Sequence, residues 1–318
     1  MSLNKYLPEG GLIGKSENRE YVSSLQGLER ARQEGKILEG IVSRCDSDTL
    51  AMHIDLYGID GVIEKEESVY NVPIKDIAII TRVGKAVAFK VMQIVKSENG
   101  RVKAILSRKE AQRECMENYL MSLVAGDIIS ARLTHFEPFG AFVDIGCGIA
   151  SLLSIDSISV SRISGPRDRF KQREEIKVII KSIDYETGRI FVSTKELFGT
   201  WEENARGFQV GQTVWGIVRS VESYGIFVEL APNLAGLAEL KEDVYEGQSC
   251  AVYIKSIMPE KMKIKLVIID TYDEIMDTDS RKSYFVDTEK TTHISAWKYS
   301  PENCTKLIET VFDNEDVS

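Results

Sequence analysis

No stretch of the 318 residues approaches the roughly 18 uncharged residues that a membrane span requires, so no spanning helix and no membrane partner are expected. The first ten residues carry one lysine and no apolar core of the secretory kind, and nothing in them directs the chain out of the cytoplasm. Cysteine is scarce and scattered. Cys45, Cys115, Cys147, Cys250 and Cys304 include no Cys-x-x-Cys pair, which excludes both a disulfide framework and a zinc site and leaves reduced thiols in a reducing compartment. The three histidines, His53, His135 and His293, lie in separate segments without ligand spacing, and no Gly-x-x-x-x-Gly-Lys-Ser/Thr loop is present. No nucleophile, metal cluster or paired acid and base emerges, so the chain is expected to have no catalytic residues, no metal and no cofactor, and not to be an enzyme.

The chain also lacks the net positive charge that phosphate contacts favour, with a formal balance of −9. That deficit is local. Residues 270–318 hold twelve acidic and five basic side chains, a balance of −7 that leaves −2 for residues 1–269. The bulk of the chain is nearly neutral, and local patches decide what it binds.

What is present is a repeat. Gly35-Lys36-Ile37-Leu38-Glu39-Gly40-Ile41-Val42, Gly126-Asp127-Ile128-Ile129-Ser130-Ala131-Arg132-Leu133 and Gly211-Gln212-Thr213-Val214-Trp215-Gly216-Ile217-Val218 answer one another at separations of 91 and 85 residues. Each opens with a turn glycine and continues apolar, small, apolar at alternate positions, the period of a strand with one buried face. The small central residue suits a tightly curved wall. Second strands are expected over residues 50–56, 139–145 and 224–230, third strands near 61–63, 151–153 and 236–238, and two closing strands in each repeat. Glu98-Asn99-Gly100 and Tyr185-Glu186-Thr187-Gly188 supply hairpin turns.

Five short strands with a longer connection between the third and fourth fit the five-stranded Greek-key barrel of the OB-fold. The expected fold is mostly β: three tandem barrels joined by short helices, with a C-terminal helical extension. The expected boundaries are 1–33 for an N-terminal helical segment, 34–110 for repeat one, 111–196 for a linker helix and repeat two, 197–269 for a linker helix and repeat three, and 270–318 for the acidic extension. In the extension Ser300-Pro301-Glu302-Asn303 has the chemistry of a helix start. Cys304, Leu307, Ile308, Val311 and Phe312 would then form an apolar stripe that packs, with Trp297 and Tyr299, on the third barrel. A protein-binding helix, or an acidic segment that occupies the third barrel's face, is the alternative.

Repeat two carries Phe139-Gly140-Ala141-Phe142-Val143-Asp144 and repeat three Tyr224-Gly225-Ile226-Phe227-Val228-Glu229. Aromatics three apart in a regular strand face opposite ways, and the glycine between them permits a bulge that brings both rings to one surface. Such a pair either fills a core or forms a platform on which bases stack, and its recurrence favours the platform, with weak base selectivity. Trp215 points outward on the same alternation, where it either stacks a base or packs between barrels or beneath the tail.

The opening glycine, Phe-Gly-Ala-Phe-Val-Asp and the closing Asp184-Tyr185-Glu186-Thr187-Gly188-Arg189-Ile190-Phe191-Val192-Ser193 together resemble the S1 RNA-binding domain. The resemblance covers residues 35–269 and implies that Phe139, Phe142, Tyr224 and Phe227 stack bases. It implies that Arg189 contacts phosphate or a base and that Asp184 orients it or accepts a hydrogen bond. Ser154 and Glu239 stand where the family often has a histidine. The closing turn of repeat three lacks the Asp and Arg, and Lys261, Lys263 and Lys265 would supply phosphate contacts instead. Repeat one has Leu50-Ala51-Met52-His53-Ile54-Asp55 in place of the aromatic pair, although Gly100-Arg101-Val102 and Leu106-Ser107-Arg108-Lys109-Glu110 remain family-like. In larger bacterial relatives amino-terminal repeats dock on protein partners, so the ribosome or a ribosomal protein is the partner the resemblance implies for repeat one. The expected function is binding of single-stranded RNA, mRNA included, with low sequence specificity and in translation. The competing expectation is a protein-interaction scaffold whose barrels dock on a complex without touching RNA.

Overall fold

The computed structural model describes residues 5–73, 75–96, 100–273 and 283–312. Glu98 and Asn99 of the first expected hairpin turn lie outside the described residues. Contacts divide the chain into two compact units: Met1–Leu123 with Ser130–Arg132 and Asp144–Ala150, and the remainder.

Three closed five-stranded barrels make up the fold. The first contains β1 (Leu38–Cys45), β2 (Met52–Leu56), β3 (Ile59–Ile63), β4 (Ala86–Lys96) and β5 (Val102–Ser107) in the order β1-β2-β3-β5-β4, with β3 and β5 parallel and β4 pairing back on β1 to close the ring. The second contains β6 (Ile128–Glu137), β7 (Gly140–Asp144), β8 (Ala150–Ser154), β9 (Glu175–Asp184) and β10 (Arg189–Ser193). The third contains β11 (Thr213–Glu222), β12 (Gly225–Ala231), β13 (Leu234–Ala238), β14 (Ser249–Met258) and β15 (Lys263–Tyr272) in the same spatial order as the first.

The small residue in each opening strand has the expected cause. A Cβ on Gly40 would stand 2.5 Å from Ile54, and one on Gly216 would stand 2.3 Å from Val228. A side chain of the adjoining strand already fills that space. Leu38, Val42, Ile54, Leu56, Phe89 and Leu106 bury their side chains in the first barrel, and Val218, Val228, Leu230, Val252, Ile254 and Leu266 do so in the third. At roughly 25 cal/mol per Å² of apolar surface removed from water, these rows dominate the stability of each barrel.

Helices connect the barrels as expected. α1 (Ser16–Val22) and α2 (Leu25–Glu34) precede the first; the Ser24 hydroxyl accepts the Gly27 amide at the start of α2, and Gly35, the opening glycine of the repeat, ends it at φ 62. α3 (Asp76–Ile80) lies between β3 and β4, and α5 (Ile155–Ile158) follows β8. α4 (Arg108–Asn118) is capped by Ser107, and α6 (Trp201–Ala205) by a reciprocal Thr200/Glu203 box.

In the first unit a buried ionic cluster ties the amino-terminal segment down. The Glu9 carboxylate accepts from Arg108 Nε at 2.6 Å, Arg82 Nη1 at 2.7 Å and the Ala88 amide, while its own amide donates to Asp144 at 2.7 Å. The two arginines hold the Glu9 carboxyl below its usual range against the opposing effect of burial. Burial, then the nearby Glu9 charge, pushes Asp144 up to about 6. Burial likewise raises Glu39 to about 7, although the amides of Gly10 and Leu12 donate to it.

The carboxy-terminal segment departs from expectation. Among the described residues it contains no helix: β16 (Ala296–Lys298) and β17 (Glu309–Val311) pair as a two-stranded ribbon. The Ser300-Pro301 start closes only a turn, because the Ser300 hydroxyl donates to Lys306 O and accepts the Ile308 amide. Extended chain lets Trp297, Tyr299 and Ile308 reach the third barrel together, and Tyr299 donates its hydroxyl to Asn233 O. The expected packing of Trp297 and Tyr299 on that barrel is present. Leu307, part of the expected stripe, is exposed.

Candidate nucleic-acid interface

Phe139 and Tyr224 do not lie in strands. Each is the second residue of a two-residue turn, Pro138-Phe139 and Ser223-Tyr224, that joins the first two strands of its barrel. Because the turn rather than an in-strand bulge aims the first ring, it reaches the surface where the strand presents the second. The bulge expected at the glycine falls instead, in the third barrel, on the opposite strand, between Val218 and Ser220. The glycine has another cause: a Cβ on Gly140 would meet Leu153 O at 2.4 Å, and one on Gly225 would meet Ala238 O at 2.7 Å. Only a bare backbone lets the third strand pass so close.

The rings pair edge to face. Phe139 and Phe142 have centroids 6.4 Å apart at 89°, and Tyr224 and Phe227 6.1 Å apart at 88°. Phe139 is 55% exposed and Tyr224 67%, while Phe142 and Phe227 are half-buried supports. An outer ring standing in water on a packed inner ring offers a rigid, open π-face.

The row continues across the wall. Phe227 pairs with Leu237 of β13, which pairs with Lys265 of β15. In the second barrel Leu152 of β8 holds the same relation to Phe191 of β10. Phe191, not among the expected contacts, is therefore a third outward ring in that barrel, where the third barrel has a lysine. Its signal was the alternation of exposed Arg189 and Phe191 with buried Ile190 and Val192.

Arg189 faces outward at the start of β10 and pairs in register with Asp184. Lys263 occupies the matching place in the third barrel, opposite Met258. Asp184 is engaged by its own turn: it accepts the Glu186 amide at 3.0 Å, the Thr187 amide at 3.2 Å and the Thr187 hydroxyl at 2.5 Å, and the Thr187 bonds hold its carboxyl below the usual range. The Asp184 carboxylate thus shapes the hairpin that presents Arg189. Lys261 ends a short turn of helix over Pro259–Lys261, and Lys261, Lys263 and Lys265 are all exposed. At the third strand the Ser154 hydroxyl bonds to Ser157, and Glu239 is exposed, 3.6 Å from Lys255.

The first barrel uses the same positions differently. By strand register His53 stands where Phe227 stands in the third, and Arg44 where Ser220 stands. Leu50, in place of the outer ring, turns inward and is buried. His53 Nε2 lies 3.0 Å from Asp46 and Nδ1 2.9 Å from Asp60, with Arg44 Nη2 also 2.9 Å from Nδ1. A compact ionic group fills the space where the other barrels carry rings.

In the second unit a buried ionic group joins the second and third barrels. Arg169, from the loop between β8 and β9, donates twice to Glu229 at 2.8 Å, and Arg219 adds a third bond at 2.7 Å while pairing with Asp168 at 3.0 Å. Arg219 is the extra residue of the β11 bulge. The acid that closes the aromatic motif is therefore bonded to the loop before β9 as well as to its own barrel, a role its sequence position does not disclose.

Residues 123–195 match the S1 RNA binding domain. Over 227 residues the chain is 31% identical to small ribosomal subunit protein bS1 of Staphylococcus aureus, covering 65% of this chain and 57% of that protein. It is 28% identical to the bS1 homolog of Bacillus cereus over 66% of this chain and 58% of the relative. The matches thus span less than two thirds of the length of these curated relatives. A solved multidomain protein with nucleic acid binding domains from Streptococcus pneumoniae is similar over 77% of each chain, at 15% identity and a TM-score of 0.25. With the aromatic motif, the closing hairpin and three closed barrels in place, residues 123–195 carry an S1 RNA binding domain and the chain is an S1-like tandem protein similar to bS1.

Proposed function

We propose that this chain is a non-catalytic cytoplasmic protein that binds single-stranded RNA, mRNA included, with low sequence specificity, and that it acts in translation. The observation that carries the proposal is the pair of open ring platforms, Phe139/Phe142 and Tyr224/Phe227, each bordered by outward cations at Arg189 or at Lys263 and Lys265. Every base has a π-face, so the rings accept bases without choosing among them, while the cations contact phosphate. Similarity to bS1 supports translation as the setting.

A titration of single-stranded RNA at several salt concentrations tests this reading. Affinity is expected to fall as salt rises, and to fall about tenfold or more when Phe139→Ala/Phe142→Ala or Tyr224→Ala/Phe227→Ala removes a platform. Absence of binding at low salt would leave the protein-interaction scaffold as the surviving account.

A second role belongs to the first barrel. Its face displays Arg44, Asp46 and Asp60 around a buried His53 in place of exposed rings, which favours docking on a protein, with the ribosome or a ribosomal protein as the candidate.

A further inference from the structure

The opening strand of the third barrel has an edge that its second strand does not reach. In β11 the even-numbered backbone groups turn to β14: Gln212 O accepts the Ile254 amide at 2.8 Å, and the Val218 amide donates to Gln248 O at 2.9 Å. By alternation the backbone groups of Thr213 and Trp215 turn the other way, towards β12, which pairs with β11 only from Ile217 onwards.

The other two barrels fill the equivalent edge from within the chain. In the first, Glu39 stands at the place of Trp215, and Asn18 covers it as a strand would: the Glu39 amide donates to Asn18 Oδ1 at 2.9 Å, and Asn18 Nδ2 donates to Glu39 O at 3.0 Å. In the second, Ile128 stands at the place of Thr213 and its amide donates to Thr292 O at 2.8 Å. The Ile294 amide donates to Gly126 O at 2.9 Å, and Asp127 and His293 form an antiparallel bridge. Residues 292–294 thus lie on that edge as an added strand. A Cβ on Gly126 would meet Ile294 O at 2.2 Å, whereas Gly211, at the same place in the third barrel and at φ 91 against 94, has nothing within 4 Å. Among the described residues nothing pairs with Thr213 or Trp215 on this side, and both line a cleft of about 530 Å³. Such an edge is a template for another strand.

We propose that the β11 edge over residues 211–215 receives an extended segment of a partner protein as an added strand, with the chemistry of Thr292-His293-Ile294, β-branched residues on either side of a polar one. Thr213 and Trp215 offer donors and acceptors together at a repeat of about 6.8 Å, which an extended peptide matches and a phosphate backbone, an acceptor only, does not. The chain's own segment of this kind is engaged on the second barrel, which leaves the third edge to a partner. The edge lies at the other end of β11 from the Ser223-Tyr224 turn, so the site is separate from the ring platform.

The probe is a peptide with the sequence of residues 289–296, and the readout is residue-resolved amide exchange of the full chain. Without peptide, the Thr213 and Trp215 amides are expected to exchange rapidly and those of Glu39 and Ile128 slowly. Peptide at about ten times its Kd should slow Thr213 and Trp215 roughly tenfold. Thr213→Pro, which removes an edge N–H that bonds nothing among the described residues, should abolish the slowing at Trp215. Tyr224→Ala/Phe227→Ala should leave that slowing intact. Should the proline variant unfold, exchange in the parent chain still decides. Amides of Thr213 and Trp215 already protected in the dilute chain, or unaffected by peptide, would overturn the proposal. Protection that grows with chain concentration alone would overturn it in favour of a second copy, and protection by single-stranded RNA without any by peptide would overturn it in favour of RNA.

Discussion

The first and third barrels share a strand order and a register yet present opposite chemistry at the same places. Where the third has Phe227 beside Ser220 and an exposed Tyr224, the first has His53 beside Arg44 and a buried Leu50. The fold tolerates both because His53 and Phe227 lie outside their barrels' core clusters, while Leu50, unlike Tyr224, joins the core of its barrel. A barrel of this kind keeps its core and changes its face. The second and third barrels differ more subtly, by Phe191 against Lys265 in one row and Arg189 against Lys263 in the next.

The largest expected effect comes from the acid after the inner ring. Glu229 in the third barrel is buried between two arginines, whereas Asp55, its register equivalent in the first, is exposed and accepts the Gly58 amide. Glu229→Ala leaves two buried arginines without their carboxylate and should cost about 3–5 kcal/mol in denaturant unfolding. Asp55→Asn should stay within about 0.5 kcal/mol. Comparable losses would mean that the two acids are not used differently.

The pH response should also separate the units. Asp144 and Glu39 have folded values raised to about 6 and about 7, above their unfolded values, so their charged forms disfavour the fold. Stability of the first unit should therefore rise as pH falls from 8 to about 5.5, by roughly 1–3 kcal/mol. Glu9, held low, adds the opposite dependence: its contribution is lost only in stronger acid, as pH falls through its depressed folded value. Thermal unfolding against pH checks this, and Asp144→Asn should flatten the rise.

Smaller effects sharpen the comparison of the second and third barrels. Phe191→Ala should weaken RNA binding by about 1 kcal/mol or more, the worth of a stacked base, with little change in salt dependence. Lys265→Ala should weaken binding less, reducing the slope of log affinity against log salt by about 0.7. Identical salt slopes for the two variants would erase the distinction between a stacking barrel and a phosphate-gripping one.

Much of this was legible because it is periodic or local. Alternation marked the opening strands, and the recurrent aromatic, glycine and aromatic marked the platforms. Phe191 was not legible as a contact, because one outward aromatic in a strand is ordinary until register places it beside Leu152. The Arg169–Glu229 group was not legible because its partners lie 60 residues apart and meet only when the barrels pack. The helix expected after Ser300 is absent for the opposite reason: its local signals are sound, but an extended chain buries Trp297 and Tyr299 on the third barrel. Tertiary burial overrides local propensity there.

RNA is expected to lie on the second and third barrels and not on the first. Photo-crosslinking the full chain to a short 4-thiouridine RNA, followed by adduct mapping, tests it directly. Adducts are expected at Phe139, Phe142, Phe191, Tyr224 and Phe227, and their yield should fall with salt. Adducts concentrated between residues 46 and 60, on the His53 face, would contradict it.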